Sequence, residues 1–121
     1  MSETTPWPSE IRLSASRDAL TVRFDNDDSF DLTAEYLRVE SPSADVRGHH
    51  PDQAVTEFGK RLVKITAVEP VGNYAVRLVF DDGHDTGLYA WSYLHKLGAE
   101  HDRIWQSYLD ELKEKQLSRS A

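Results

Sequence analysis

The sequence predicts an α+β domain with a mainly antiparallel sheet, formed by two hairpin-plus-short-helix units on which a C-terminal amphipathic helix packs. Three observations support this prediction. Apolar and polar residues alternate in two separate parts of the chain, which is the period of half-buried strands. An acidic turn and the start of a short helix follow in both parts. The last segment places apolar residues at helical spacing.

The first unit begins after a short N-terminal segment. Alternating apolar residues indicate three strands, around residues 11–13, 20–24 and 30–32. The run Asp25-Asn26-Asp27-Asp28 separates the second strand from the third, and because such side chains stabilise tight turns, these two strands form a hairpin. A short helix follows, with Thr33 as its candidate N-cap and Pro42 as the limit to its length.

The second unit repeats this order after an irregular connection over residues 41–61, and long ordered loops of this kind are often functional. The runs "LVKITAVEPVG" and "YAVRLVF" indicate two strands, and the turn at residues 81–83 leads into a third, "HDTGLYA". The helix "WSYLHKLG" is expected to end at Gly98. The shared order is consistent with an internal duplication, although hairpin turns converge on Asp and Gly in any case.

The C-terminal helix is predicted over roughly residues 102–117, with Asp102 as a candidate cap and Glu111 and Lys115 as an i,i+4 ion pair. We expect residues 1–8 to be a flexible leader, 9–117 to form a single domain and 118–121 to be a frayed tail. The apolar stripe of the helix consists of Ile104, Trp105, Tyr108, Leu109 and Leu112.

The composition excludes several classes of function. There are 21 acidic and 14 basic residues, and a net charge of -7 repels a nucleic-acid backbone, so we expect no nucleic-acid partner. The chain has neither an apolar run of membrane-spanning length nor a signal-like start, so we expect a cytoplasmic protein that does not bind membranes. The absence of Cys excludes disulfides and thiolate metal sites.

No catalytic constellation is found, so we predict that the chain is not an enzyme. A Gly-x-Ser-x-Gly elbow is absent. The glycine-containing loops match neither the Walker A pattern nor the glycine-rich fingerprint of dinucleotide-binding proteins. Asp81 and Asp82, with Asp85 nearby, could bind a cation or transfer protons, but a solvated hairpin turn is the commoner role of such residues. His84 follows them, and a lone His on a strand is more often a surface or hydrogen-bonded residue than a ligand.

Two groups of residues are candidates for protein contacts. Arg47, His49 and His50 form, with the Lys60-Arg61-Lys64 group, a basic and pH-sensitive patch, which is either a solvated loop or a docking surface for an acidic partner or anion. Tyr89 and Trp91 stand with Tyr93 at a strand-to-helix junction, where alternate positions face different ways. At least one of these aromatic side chains should therefore be available as an anchor.

The motif "FDDGHDTGLYAWSYL", preceded by "VGNYAVRLV" and paired upstream with "LRVESPSADVRGH", resembles the gamma-butyrobetaine hydroxylase-like N-terminal domain, a domain of unknown function. The resemblance covers roughly residues 9–112 and is to the standalone bacterial form of the module. In the hydroxylases the module precedes an iron- and 2-oxoglutarate-dependent domain, and similar domains are fused to ATPases of iron–sulfur cluster assembly. The catalytic domain itself has no counterpart in this sequence.

In the hydroxylases this module carries a structural zinc site, which is built from a Cys-x-Cys-x-x-Cys loop and the His of a later Asp-Gly-His turn. The resemblance implies the positions of that site in this sequence. In this sequence Ser41, Ser43 and Val46 stand at the three thiolate positions, whereas His84 retains the fourth. Neutral Ser is a poor zinc ligand and Val is none, so we expect the zinc to be lost and no cofactor to replace it. Hydrogen bonds from the two serines are expected to hold the loop instead.

Two functions follow as expectations. The first is a non-catalytic protein-interaction or scaffold module, accessory to iron–sulfur cluster assembly or to a dioxygenase, with an unknown protein partner and a monomeric or weakly dimeric state. The alternative is a metal-binding, oxidoreductase-associated protein that uses His84 with Asp82, Asp85 or the loop histidines.

Overall fold

The computed structural model describes residues 6–43 and 56–120, which form two three-stranded antiparallel sheets and three helices. The predicted α+β class is confirmed. The strands are divided between two sheets, whereas the sequence predicted one.

The elements of the first unit are β1 (Pro8–Leu13), β2 (Ala19–Phe24), β3 (Ser29–Thr33) and α1 (Ala34–Val39). Those of the second are β4 (Ile65–Val71), β5 (Ala75–Phe80), β6 (Gly87–Ala90) and α2 (Trp91–Ala99), followed by α3 (His101–Glu114).

Each sheet has its strands in sequence order, β1-β2-β3 and β4-β5-β6, because consecutive strands within a unit are joined by short connections. The units separate into two sheets because β3 and β6 each lead directly into a helix rather than into another strand. The Ile65 amide donates to the Arg17 carbonyl at 2.8 Å, which joins the start of β4 to the β1–β2 turn.

The main apolar core contains residues of both sheets and of the two short helices, and a second, smaller cluster joins α1 to α3. All six residues of α1 are buried, including Glu35 and Arg38, and Thr33 caps the helix by accepting a hydrogen bond from the Tyr36 amide. A buried charge requires a partner, and both of these have one, as described below. The largest fully buried side chains include Tyr36, Tyr89, Phe24, Phe80, Leu20, Leu32, Leu37, Ile65, Leu78, Leu94 and Leu97.

The two acidic turns, residues 24–28 and 80–84, have the same backbone hydrogen bonds. In each turn the amide of the first residue donates to the carbonyl of the fifth, at 2.7 Å in the first turn and 2.9 Å in the second. The amide of the fourth residue donates to the carbonyl of the first, at 3.1 Å in both. This fourth residue has a left-handed φ, 73° at Asp27 and 92° at Gly83, which Asp tolerates and Gly favours. An internal duplication predicts such a match.

Two predicted helix boundaries were wrong. Helix α2 continues past Gly98 to Ala99, and a Cβ at Gly98 would lie 2.3 Å from the Phe30 ring, so close packing explains this glycine better than a helix end does. Asp102 lies in the first turn of α3, which begins one residue earlier. Residues 118–120, expected to be frayed, are hydrogen-bonded to the segment 59–61.

At the N-terminal end, part of the expected leader is bound to the first acidic turn. The Trp7 amide donates to Asp25 Oδ1 at 3.2 Å, the Asp25 amide donates to the Trp7 carbonyl at 2.8 Å, and β1 begins at Pro8. Among the helices in the described ranges, none combines the length and apolar character required to cross a bilayer.

Candidate functional site

The structure brings together three of the four residues at the zinc positions implied by the resemblance. Ser41 and Ser43 follow α1, and His84 closes the second acidic turn. Ser41 Oγ lies 2.8 Å from His84 Nε2, and the Ser43 amide donates to Ser41 Oγ at 3.3 Å. Ser43 Oγ lies 2.6 Å from the hydroxyl of Thr86. Val46 lies outside the described residues.

Local geometry explains why these side chains meet. The Ser41 amide donates to the Arg38 carbonyl at 3.4 Å, which turns the chain at the end of α1. The His84 amide donates to Asp82 Oδ1 at 3.1 Å, which orients the turn that carries the imidazole. A Cβ at Gly87 would lie 2.6 Å from Ser41 Oγ, so the buried serine requires glycine at this position of β6.

A charged cluster lies beside these hydroxyls. Asp82 Oδ2 accepts hydrogen bonds from Arg38 Nε at 2.8 Å and from Lys60 Nζ at 2.7 Å, and Arg38 Nη1 lies 3.3 Å from Glu57 Oε1. Partial burial would by itself raise the pKa of Asp82. The hydrogen bonds from Lys60 and the His84 amide, with the charge of Arg38, outweigh burial and lower this pKa to about 2. The cluster therefore joins α1 to the second acidic turn.

These residues do not fit a zinc ion. The side chains at the zinc positions are the hydroxyls of Ser41 and Ser43 and the imidazole of His84. Neutral hydroxyls cannot replace thiolates in a tetrahedral zinc site. The Asp82 carboxylate is occupied by two cations, and Asp85 Oδ2 faces Arg77 Nη1 at 3.5 Å. No group of three or more His, Cys, Asp or Glu side chains suited to a metal occurs in residues 6–43 and 56–120. Among the described residues, Asp82 and Asp85 are thus paired with cations, and the loop histidines of the alternative metal function lie outside these residues.

The predicted contact residues have different outcomes. Arg47, His49 and His50 lie outside the described residues. Tyr89 is not a surface anchor: its side chain is fully buried, and its hydroxyl donates to the Leu37 carbonyl at 2.5 Å. The error arose because alternation along β6 places Tyr89, and not Leu88, on the core side. Trp91 is half-buried, and its indole Nε1 donates to the Asn73 carbonyl at 2.8 Å.

The sequence analysis missed two exposed aromatic residues beside Trp91. Trp7 is 47% exposed and Tyr74 is 55% exposed. With Trp91 they line an open groove of about 310 Å³, which we call the aromatic groove. Its remaining residues come from the β4–β5 turn and the β6–α2 junction. The full lining is Trp7, Asn73, Tyr74, Ala90, Trp91 and Ser92.

Comparisons with known proteins agree with the motifs. Residues 11–95 match the family model described as gamma-butyrobetaine hydroxylase-like, N-terminal. No curated protein matches the chain. A protein solved by NMR in solution is 47% identical with a TM-score of 0.83, over 97% of this chain and 92% of that chain. A second NMR structure is 45% identical with a TM-score of 0.81, over 98% of this chain and 90% of that chain.

A crystal structure is also similar. It is of a protein of unknown function from Acidithiobacillus ferrooxidans that belongs to the DUF971 family. The sequences are 38% identical and the TM-score is 0.64, over 79% of this chain and 97% of that chain. The family model covers more than half of the chain, and these similar structures share its fold. The chain therefore belongs to the gamma-butyrobetaine hydroxylase-like N-terminal domain family.

Proposed function

We propose that this protein is a non-catalytic interaction or scaffold module whose aromatic groove binds an extended segment of a partner protein that carries basic and apolar side chains. The partner expected from the family resemblance is a protein of iron–sulfur cluster assembly or a dioxygenase. The observation that carries the proposal is the convergence of Trp7, Tyr74 and Trp91 on one groove.

Isolated exposed apolar residues are common and need no explanation. Here, however, three large rings come from the N-terminal segment, the β4–β5 turn and the start of α2, which are distant in sequence. Aromatic side chains of this kind are the usual anchors of protein interfaces, because they bury large areas at little cost in conformational entropy.

The charges near the groove indicate the chemistry of the segment. Trp7 is bonded to the first acidic turn, where Asp25 and Asp27 are exposed. Within the described residues, neither carboxylate has a Lys, Arg or His side chain within 4.0 Å. A Lys or Arg of the partner could pair with these carboxylates and lie over an indole face, whereas its apolar neighbours would fill the groove.

A direct test uses a short labelled peptide of repeated Lys, Pro and Leu, and a matched peptide in which Asp replaces Lys. Fluorescence anisotropy at physiological ionic strength should show that the Lys peptide binds. Trp7→Ser and Tyr74→Ser should each weaken its binding by about fivefold, since both remove an exposed anchor without changing the net charge. Leu88→Ser is the matched control, because Leu88 is 45% exposed and does not line the groove.

The three tryptophans also report the position of the peptide. In a two-dimensional NMR spectrum, the indole resonances of Trp7 and Trp91 should shift on addition of the Lys peptide, whereas that of Trp105 should not. Equal binding by the wild type and both groove variants would contradict the proposal. So would a shift confined to Trp105. The native partner is then identified by co-purification, which must survive Leu88→Ser and be lost on Tyr74→Ser.

A further inference from the structure

A second exposed surface, which carries positive charge, lies on the segment 58–64. Phe58 is 52% exposed and Leu62 is 82% exposed, so both apolar side chains are largely in water. Arg61 and Lys64, which are also exposed, lie beside them in the sequence. We call these four residues the cationic surface.

The cationic surface borders a groove of about 260 Å³, whose second wall is the C-terminal segment. The Gly59 amide donates to the Ser118 carbonyl at 2.9 Å, and the Arg61 amide donates to the Arg119 carbonyl at 3.0 Å. These backbone bonds set the width of the groove. Leu62 and Ser120 complete its lining.

Arg119 fixes this second wall to the body of the domain. Its guanidinium makes a bidentate pair with the buried carboxylate of Glu35, at 2.8 and 2.7 Å, and lies 5.3 Å from the centre of the Trp105 ring. The hydrogen bonds that Arg119 donates to Glu35, with the negative charge of this carboxylate, raise the pKa of Arg119. The wall therefore consists of residues held by specific contacts, and the groove exists before a partner binds.

The positive charges of this region are not equivalent. Lys60 and Arg119 are neutralised by Asp82 and Glu35. Within the described residues, by contrast, no carboxylate lies within 4.0 Å of the Arg61 or Lys64 side chain. Arg61 Nη1 has only a long contact of 3.5 Å with Ser120 Oγ in this part of the chain. In the described part of the chain, two cations without a carboxylate neighbour therefore lie beside exposed apolar side chains, on a protein with a net charge of -7.

We propose that the cationic surface binds an acidic, leucine-containing segment of a partner protein. A carboxylate of that segment pairs with the guanidinium of Arg61, and its apolar side chain packs against Phe58 and Leu62. Charge complementarity selects this occupant, because the planar donors of Arg61 match a carboxylate and the rest of the protein repels acidic ligands.

This inference goes beyond the function proposed for the aromatic groove and does not depend on it. Lys64 precedes β4 and Tyr74 follows it, and this strand has seven residues. At about 3.3 Å per residue, the two surfaces lie roughly 20 Å apart. The domain can therefore hold a basic segment at one end of the second sheet and an acidic segment at the other.

The test uses the same pair of labelled peptides with the opposite expectation. The peptide of Asp, Pro and Leu should bind the wild type, and its binding should weaken as salt is added. Arg61→Gln should reduce the affinity by about threefold and Leu62→Ser by about fivefold. Lys113→Gln is the charge-matched control, because Lys113 is exposed, lies on α3 and does not line the groove. All three side chains are exposed, so circular dichroism melting curves should be unchanged.

The indole resonance of Trp105 should shift on addition of the Asp peptide, because the guanidinium of Arg119 contacts this ring. Absence of binding up to about 1 mM peptide would overturn the proposal. Equal binding by wild type, Arg61→Gln and Leu62→Ser would also overturn it, as would shifts confined to Trp7 and Trp91. If sedimentation shows a dimer that dissociates in Leu62→Ser, the occupant is a second copy of this chain and the proposed partner is wrong.

Discussion

The two acidic turns have the same backbone hydrogen bonds, and the side chain at their fifth position links each turn to a different partner. In the first turn this residue is Asp28, whose Oδ2 lies 2.7 Å from His95 Nε2 on α2. In the second it is His84, whose Nε2 lies 2.8 Å from Ser41 Oγ after α1. Each turn is therefore bonded to the helical region of the other unit, one through an acid and one through an imidazole. The comparison shows that equivalent positions can hold the units together with different chemistry.

The surroundings of the two imidazoles differ as well. The ring of His95 makes T-shaped contacts with Phe24 and Phe30, with centroid distances of 5.0 and 5.6 Å. His84 lies beside the hydroxyl of Ser41 and is tilted against Phe80 at 6.1 Å. The first link depends on a carboxylate. The second depends on a hydroxyl, and the nearby carboxylate of Asp82 pairs with cations instead.

The largest expected effect concerns two tyrosines at equivalent positions in the helices. The Tyr36 hydroxyl donates to the Leu97 carbonyl at 2.7 Å, and the Tyr93 hydroxyl donates to the Glu40 carbonyl at 2.5 Å. Tyr36→Phe should lower the free energy of unfolding by about 2 kcal/mol, because both partners are buried and the carbonyl is left unsatisfied. Tyr93→Phe should cost about 1 kcal/mol, since Tyr93 is only half-buried and water can replace the bond.

Urea unfolding monitored by circular dichroism measures both values. The double variant should be additive within about 0.5 kcal/mol if the two bonds act independently. Equal losses for the two single variants would show that the bonds are equivalent in energy as well as in position, which the difference in burial does not predict.

A smaller effect distinguishes the two turns by their response to acid. The pKa of folded Asp82 is about 2, below its ordinary value of 3.8, so its stabilising contribution is complete above about pH 5 and is lost as the pH falls through 2. Asp82→Asn should therefore cost about 1 kcal/mol at pH 7, after allowance for solvent screening, and should flatten the decrease of stability below pH 4.

Asp28→Asn is the matched variant in the first turn. A hydrogen bond from His95, with another from Asn26, lowers the pKa of Asp28. The Asp28 side chain is 44% exposed, against 21% for Asp82, so the change in acid sensitivity should have the same sign as for Asp82→Asn and be smaller. Thermal melts between pH 2 and pH 7 compare the two variants. If Asp28→Asn changes the acid sensitivity of stability more than Asp82→Asn does, the first turn and not the second is the more acid-sensitive one, and the prediction is wrong.

The smallest expected effect concerns metal content. Ser41, Ser43 and His84 do not form a set of zinc ligands. Tag-free protein purified without chelator should therefore contain no stoichiometric zinc or iron by elemental mass spectrometry. His84→Ala should leave that result unchanged. Stoichiometric metal that disappears in His84→Ala would support the alternative metal function and would require additional ligands.

Local patterns predicted the strands, the Thr33 cap and the two acidic turns, because alternation, capping and turn formation depend on neighbouring residues. The meeting of Ser41 with His84 followed from the family resemblance, since no spacing rule joins residues so far apart. The aromatic groove could not be predicted, because Trp7 reaches Tyr74 only after both sheets have formed. Gly98 was misread as a helix end, because sequence alone does not reveal the Phe30 ring against it.

The paired tyrosine bonds have a consequence in terms of symmetry. The Tyr36 hydroxyl donates to the carbonyl of Leu97, which lies four residues after Tyr93. The Tyr93 hydroxyl donates to the carbonyl of Glu40, which lies four residues after Tyr36. Such exchange, in which residue i contacts j and the equivalent of j contacts the equivalent of i, defines an isologous interface between the two subunits of a C2 dimer. The two tyrosine bonds between the units of this chain follow that pattern, which is the one expected if the units are related by duplication.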